Sequence, residues 1–143
     1  PGISAFQAAA AAIGQELTRP ETSQAVVLCR APGRTPVPAG QEPEVFARTG
    51  ATMCLYLSSR LLVGAVERLV AAYGPDCPAA LVSRASWPEQ RILRGALSEI
   101  PSQAREAGID RLAVLLVGPA LAGKAPASRL YAADFAHGWR EAK

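Results

Sequence analysis

Residues 51–75 read ATMCLYLSSRLLVGAVERLVAAYGP, two hydrophobic periods in succession. Ala51 to Ser58 is a compact apolar run of strand length. From Ser59 onward, Leu61, Leu62, Val66, Leu69, Val70 and Tyr73 recur at three- and four-residue spacing, which marks an amphipathic helix that Gly74-Pro75 ends. A buried strand feeding such a helix is the unit of a layered α/β domain.

The flanks repeat the pattern. Upstream, Gln24 to Arg30 is a short run of β-formers bounded by turn signals, and so a buried strand. Ala31 to Pro43 contains four Pro and two Gly and must be loop, after which Pro43 to Gly50 makes a short helix. At the start, Ser4 and Gln7 have capping-box spacing ahead of the Ala-rich run Ala5 to Ile13, so a helix begins at Ser4. Gly14 weakens that run, and the turn residues Thr18 to Thr22 close it. Downstream, Ala79 to Ser86 and Gln90 to Leu97 read as strands joined through Trp87-Pro88-Glu89. Ala104 to Gly108 ends another helix, and Leu112 to Val117 is the most apolar strand. This alternation predicts an α/β fold: five strands in a layered, mixed but mostly parallel sheet, with helices on both faces.

The 143 residues, 50% hydrophobic and 19% charged, fit one domain with a real core and argue against disorder. No segment runs 18 residues without a charge or a breaker, so a membrane span is excluded. The net charge of +3 comes from dispersed Arg, aromatics are 6%, and no patch of five basic residues occurs, which argues against a nucleic-acid partner. A few Arg aimed at one anionic small molecule would fit the charge equally well. Cys29, Cys54 and Cys77 form neither a zinc spacing nor a disulfide framework and read as small buried hydrophobes of a reducing compartment. No charged-then-apolar leader opens the chain, which points to the cytoplasm. The opening Pro1-Gly2-Ile3-Ser4, in place of Met, suggests a piece of a longer protein.

One motif misleads. Gly118 to Lys124 has the Gly-x4-Gly-Lys frame of a phosphate-binding loop and follows a strong strand. The next residue is Ala125, which has no hydroxyl to hold magnesium, and Pro126 stands where a helix should run. The frame therefore reads as a connection and not as a nucleotide site.

Four pieces, in their order and spacing, resemble the tetrapyrrole methyltransferases: Pro1-Gly2-Ile3-Ser4-Ala5 at a helix start, Gly50 to Ser58 on a strand, Arg84-Ala85-Ser86-Trp87-Pro88-Glu89-Gln90 before a strand, and Ser128 to Tyr131 with Phe135 to Arg140 at the end. Within that family, Cys29 to Pro38 and the tail look like the branch that acts at C11 of a corrin precursor in vitamin B12 synthesis. The resemblance covers essentially the whole chain and departs from the family pattern at Cys29 and Cys54, where Thr and Ala are common, and at Leu57, which stands in the place of a family Met.

The resemblance implies transfer of the methyl group of S-adenosylmethionine to a ring carbon, leaving S-adenosylhomocysteine. It implies residues 1–15 as the linker helix from a preceding domain, 16–122 as the second α/β domain and 123–143 as a tail. It also implies a homodimer. Ser4, Ala5, Leu57, Ala85 and Ala120 fall where the family holds the cofactor. Helix-start N–H groups and a Ser hydroxyl suit polar ligand atoms, although Ser4 could equally be a plain cap. Leu57, at a strand end, can pack against adenine or the methionyl chain. A small residue at position 85 lets the ligand approach the backbone. Arg30, Arg34 and Arg84 are candidates for the carboxylates of the macrocycle. His137, the one histidine, has no second metal-type residue at ligand spacing, so no metal site is expected and no catalytic base is assigned. The competing readings are a self-associating α/β module without catalysis and a methylase acting at another tetrapyrrole carbon.

Overall fold

The computed structural model describes residues 2–57 and 59–123. The elements follow the order α1 (Ala5–Ile13), β1 (Val26–Arg30), α2 (Pro43–Ala47), β2 (Thr52–Leu57), α3 (Leu62–Tyr73), β3 (Pro78–Ser83), β4 (Arg91–Ala96), α4 (Ile100–Glu106) and β5 (Ala113–Val117). Short 3₁₀ turns lead into α3 and α4 and follow β5. The tail residues named above, His137 among them, lie outside the described residues, as does Lys124 of the phosphate-loop frame.

The five strands form one mixed sheet in the order β1-β2-β5-β3-β4. The expectation of a mostly parallel sheet is corrected: only β1 and β2 pair in parallel, and the other three neighbouring pairs are antiparallel. The physical reason lies in the connections. Helical segments join β1 to β2, β2 to β3 and β4 to β5, and within each of these three pairs both strands point the same way. The β3–β4 hairpin reverses the chain once, so β4 and β5 run against the rest. β5 then inserts between β2 and β3, and each interleaved neighbour is antiparallel.

Strand alternation sends each residue set to its own layer. Met53, Leu55, Leu81, Leu115 and Val117 meet Leu62, Ala65, Val66 and Leu69 of α3 and Ile100 and Ala104 of α4 in the larger core. Those α3 positions repeat at three- and four-residue spacing, the stripe anticipated from the sequence. On the other face, Cys54, Ala80, Val82, Val114 and Leu116 pack against Ala9 and Ile13 of α1. β2 and β5 are thus covered on both sides, which is why they read as continuous apolar runs. Full burial of Ile13 contributes about 2 kcal/mol, and its neighbours are mainly Ala.

Three further contacts seat α1. Arg94 donates to the Ile13 carbonyl, Gln15 Nε2 donates to the Ala120 carbonyl at 3.3 Å, and Gly14 closes the helix at φ 60°. Nearby, Arg19 is 6% exposed and donates to the carbonyls of Ala122 and Gly123.

Candidate functional site

At the carboxyl ends of β2 and β3, which point the same way, lies a cleft of about 610 Å³. Its walls come from the start of α1 (Ile3, Ala5, Ala8), the end of β2 (Tyr56, Leu57), the turn after β3 (Arg84 to Trp87) and the approach to β5 (Arg111, Leu112). This is where ligands sit in open α/β sheets. Ala5, Leu57 and Ala85, far apart in the chain, come together here with Arg84. Ser4 stands exposed between the two lining residues Ile3 and Ala5. The Ser4 N–H donates to Gln7 Oε1 at 3.3 Å, one half of the capping box. The Ser4 side chain faces the Gln7 amide but makes no cap hydrogen bond.

Backbone strain gathers at the same place. Of the four non-glycine residues with positive φ among the described residues, Arg84 (49°), Ser86 (66°) and Leu112 (54°) all line this cleft. Such conformations cost of order 1–3 kcal/mol each and cluster at functional sites. Here they are tied down: the Arg84 N–H donates to the Leu112 carbonyl at 2.9 Å, and the Ser86 N–H to Gln90 Oε1 at 2.8 Å. β3 therefore ends at Ser83, earlier than the sequence suggested, and Ala85 is delivered into the cleft by the turn.

The remaining candidates sit elsewhere. Ala120 is 1% exposed and lines a different hollow, with Gln15 and Arg19. Arg30, at the end of β1, turns its guanidinium onto the Pro-rich loop, donating to the carbonyls of Thr35 at 3.1 Å and Pro36 at 2.6 Å. Arg34 is exposed on that loop. The sequence reading did not single out Ile3, Tyr56, Arg111 or Leu112. The strand period places Tyr56 on the α1 side, but no sequence signal tells that its hydroxyl meets the Phe6 amide, or that Leu112 takes positive φ without being glycine.

A second hollow, about 500 Å³, lies at the opposite end of the sheet between Gly50 and the Gly74–Pro78 turn. Its tyrosine is already committed: the Tyr73 hydroxyl donates to the Ala51 carbonyl at 2.6 Å. Burial pushes the Cys29 thiol up to about 11 and, with a smaller contribution from Cys29, the Cys54 thiol up to about 12, so both stay protonated near neutrality. Among the described residues no cluster of His, Cys, Asp and Glu could hold a metal, and no helix is long and apolar enough to cross a membrane. The phosphate-loop frame is built for another purpose. The amides of Leu121 and Ala122 are used within the turn, and the carbonyls of Ala122 and Gly123 face the Arg19 guanidinium. A phosphate cradle needs amides aimed inward.

The chain is similar to known proteins over nearly all of its length. The precorrin-4 C(11)-methyltransferase of Sinorhizobium sp. is 43% identical over 122 residues, 85% of this chain and 48% of that protein. Its counterpart from Rhodococcus erythropolis is 44% identical over 135 residues, 93% and 54% respectively. Among solved structures, cobalt precorrin-4 methyltransferase, a cobalamin biosynthetic enzyme, superposes with a TM-score of 0.82 at 37% identity, covering 86% of this chain and 52% of that one. The chain spans about half the length of the curated relatives it matches. The model of the tetrapyrrole (corrin/porphyrin) methylases matches residues 1–101, and with the cleft placed as described the chain belongs to the tetrapyrrole methylase family.

Proposed function

We propose that this chain forms one wall of the site at which an S-adenosylmethionine-dependent enzyme methylates a ring carbon of a corrin precursor, precorrin-4 at C11. The observation that carries the reading is the meeting of Ala5, Leu57 and Ala85 in one cleft at the carboxyl edge. The names of the two relatives and of the solved structure support the substrate.

The residues fit the cofactor. The cleft is largely apolar around Leu57 and Val82, as an adenine and a methionyl chain require. The Phe6 amide is taken by the Tyr56 hydroxyl, but the Ala5 amide has no partner within the helix and the Ser4 hydroxyl makes no cap bond, so these two groups can meet polar ligand atoms. Leu57 and Val82 give the apolar contact, and the methyl side chain of Ala85 keeps the backbone approachable. When bound, S-adenosylmethionine supplies a methyl group on a good leaving group. The protein's task is then chiefly to hold the acceptor carbon in line and to keep water out. Arg84 on the cleft wall, with Arg34 on the loop after β1 and Arg30 at the end of β1 once its guanidinium leaves the Thr35 and Pro36 carbonyls, would take carboxylates of the macrocycle. With this reading go a homodimer and work in the cytoplasm.

Calorimetric titration of S-adenosylhomocysteine into the intact protein tests the proposal. Saturable binding that Ala85→Leu weakens by at least about tenfold is expected. Absence of binding by the wild type refutes it.

A further inference from the structure

We propose that Tyr56 caps α1 in place of Ser4 and so acts as a positioning residue for the cleft; the consequence for ligand binding rests on the function proposed above. Phe6 is the second residue of α1, and its N–H is one of the four with no acceptor inside the helix. At an ordinary N-terminus the hydroxyl of the N-cap Ser takes the second or third amide. Here the Phe6 N–H donates to the Tyr56 hydroxyl at 3.2 Å, fifty residues away in sequence, and the Ser4 hydroxyl makes no cap bond.

The substitution changes what the cap does. A Ser cap belongs to the helix and fixes only its own first turn. Tyr56 belongs to β2, held in register between Arg30 of β1 and Val114 of β5, so its hydroxyl fixes the turn relative to the sheet. The neighbour of Tyr56 on that strand is Leu57, and Ala5 precedes Phe6, so this one hydrogen bond sets the distance across the cleft between two of its walls. Tyr56 is half-buried and packs against the α1-side core, which leaves its ring little freedom to turn away. With the Phe6 amide already satisfied, the Ser4 hydroxyl can engage a ligand without surrendering a cap.

The test is a double-mutant cycle on the intact protein: wild type, Ser4→Ala, Tyr56→Phe and the double variant. Two quantities are read, the urea midpoint and the affinity for S-adenosylhomocysteine. Phe keeps the ring and its packing, so the fold is retained. Ser4→Ala alone is expected to leave the midpoint unchanged. Tyr56→Phe lowers it and weakens the ligand about fivefold, the worth of one net hydrogen bond. In the Tyr56→Phe background the Ser4 hydroxyl takes over the vacant amide, so Ser4→Ala there lowers the midpoint further. An equal loss from Ser4→Ala in both backgrounds overturns the inference, because Ser4 would then be the cap throughout. An unchanged affinity in Tyr56→Phe overturns it as well. If the wild type binds no S-adenosylhomocysteine while the four midpoints keep the expected order, the proposed function falls and the capping role of Tyr56 stands.

Discussion

Replacing Gly118 by Ala should be among the costliest small changes in this chain, and replacing Gly95 by Ala among the cheapest. A methyl group on Gly118 would stand 3.0 Å from Thr52 Cα, 3.3 Å from the Ala51 carbonyl oxygen and 3.4 Å from Thr52 Oγ1. These are atoms of β2 and its entry, a strand covered on both faces, and they cannot retreat. Overpacking of this kind costs about 1–3 kcal/mol. Gly118 also has φ 150°, a region L-residues rarely adopt, for a further 1–3 kcal/mol or so. Against the resulting sum of about 4 kcal/mol, the lower entropy of an unfolded chain with Ala returns roughly 0.4–1 kcal/mol, which leaves about 3 kcal/mol. For a domain of this size that lowers Tm by roughly 10 °C. At Gly95 the methyl would meet Glu99 Oε2 at 2.7 Å and Gln103 Nε2 at 2.8 Å, the far ends of two flexible side chains. Their displacement costs about 1 kcal/mol or less. Urea unfolding of both variants, with scanning calorimetry for Tm, measures the contrast. A Gly118→Ala loss below about 1 kcal/mol, or a Gly95→Ala loss as large as that at Gly118, would refute the reasoning. The comparison also bears on the phosphate-loop frame, whose first glycine is required here by the nearness of β2 and not by a ligand.

Two other outcomes follow from the site and the buried thiols. Ala85→Leu should weaken S-adenosylhomocysteine binding by at least about tenfold, because the turn carries Ala85 into the cleft, while its half-buried place at the edge of the α1-side core limits the loss of stability to about 1–3 kcal/mol in urea unfolding; retained affinity in a titration contradicts the placement. Stability should fall as pH rises above about 9. The unfolded chain then loses the protons of Cys29 and Cys54, while the folded chain keeps them up to about 11 and about 12, so unfolding releases protons and is favoured. Urea midpoints between pH 8 and 10.5 check this, and a Cys29→Ala, Cys54→Ala double variant should flatten the decline.

Local pattern carried far in this chain. The Ala-rich run with Ser4 and Gln7, the α3 stripe from Leu61 to Tyr73 and the apolar runs of β2 and β5 appear where their periods put them, to within a residue or two. Hydrophobic period and turn chemistry act over a few residues, so they can be read without the fold. They also establish strand direction, since each helical connection returns the chain the same way and the one hairpin at Trp87 reverses it. Adjacency is another matter. The insertion of β5 between β2 and β3 depends on which apolar faces bury best together, a property of the whole core, and it made the sheet mostly antiparallel. The cleft divides along the same line. Residue type and family resemblance named Ala5, Leu57 and Ala85, but their meeting required two strands to end at one edge and α1 to start beside them. The hydroxyl of Tyr56 on the Phe6 amide, and the positive φ of Leu112, come from contacts across 50 and 28 residues of chain, which no local pattern encodes.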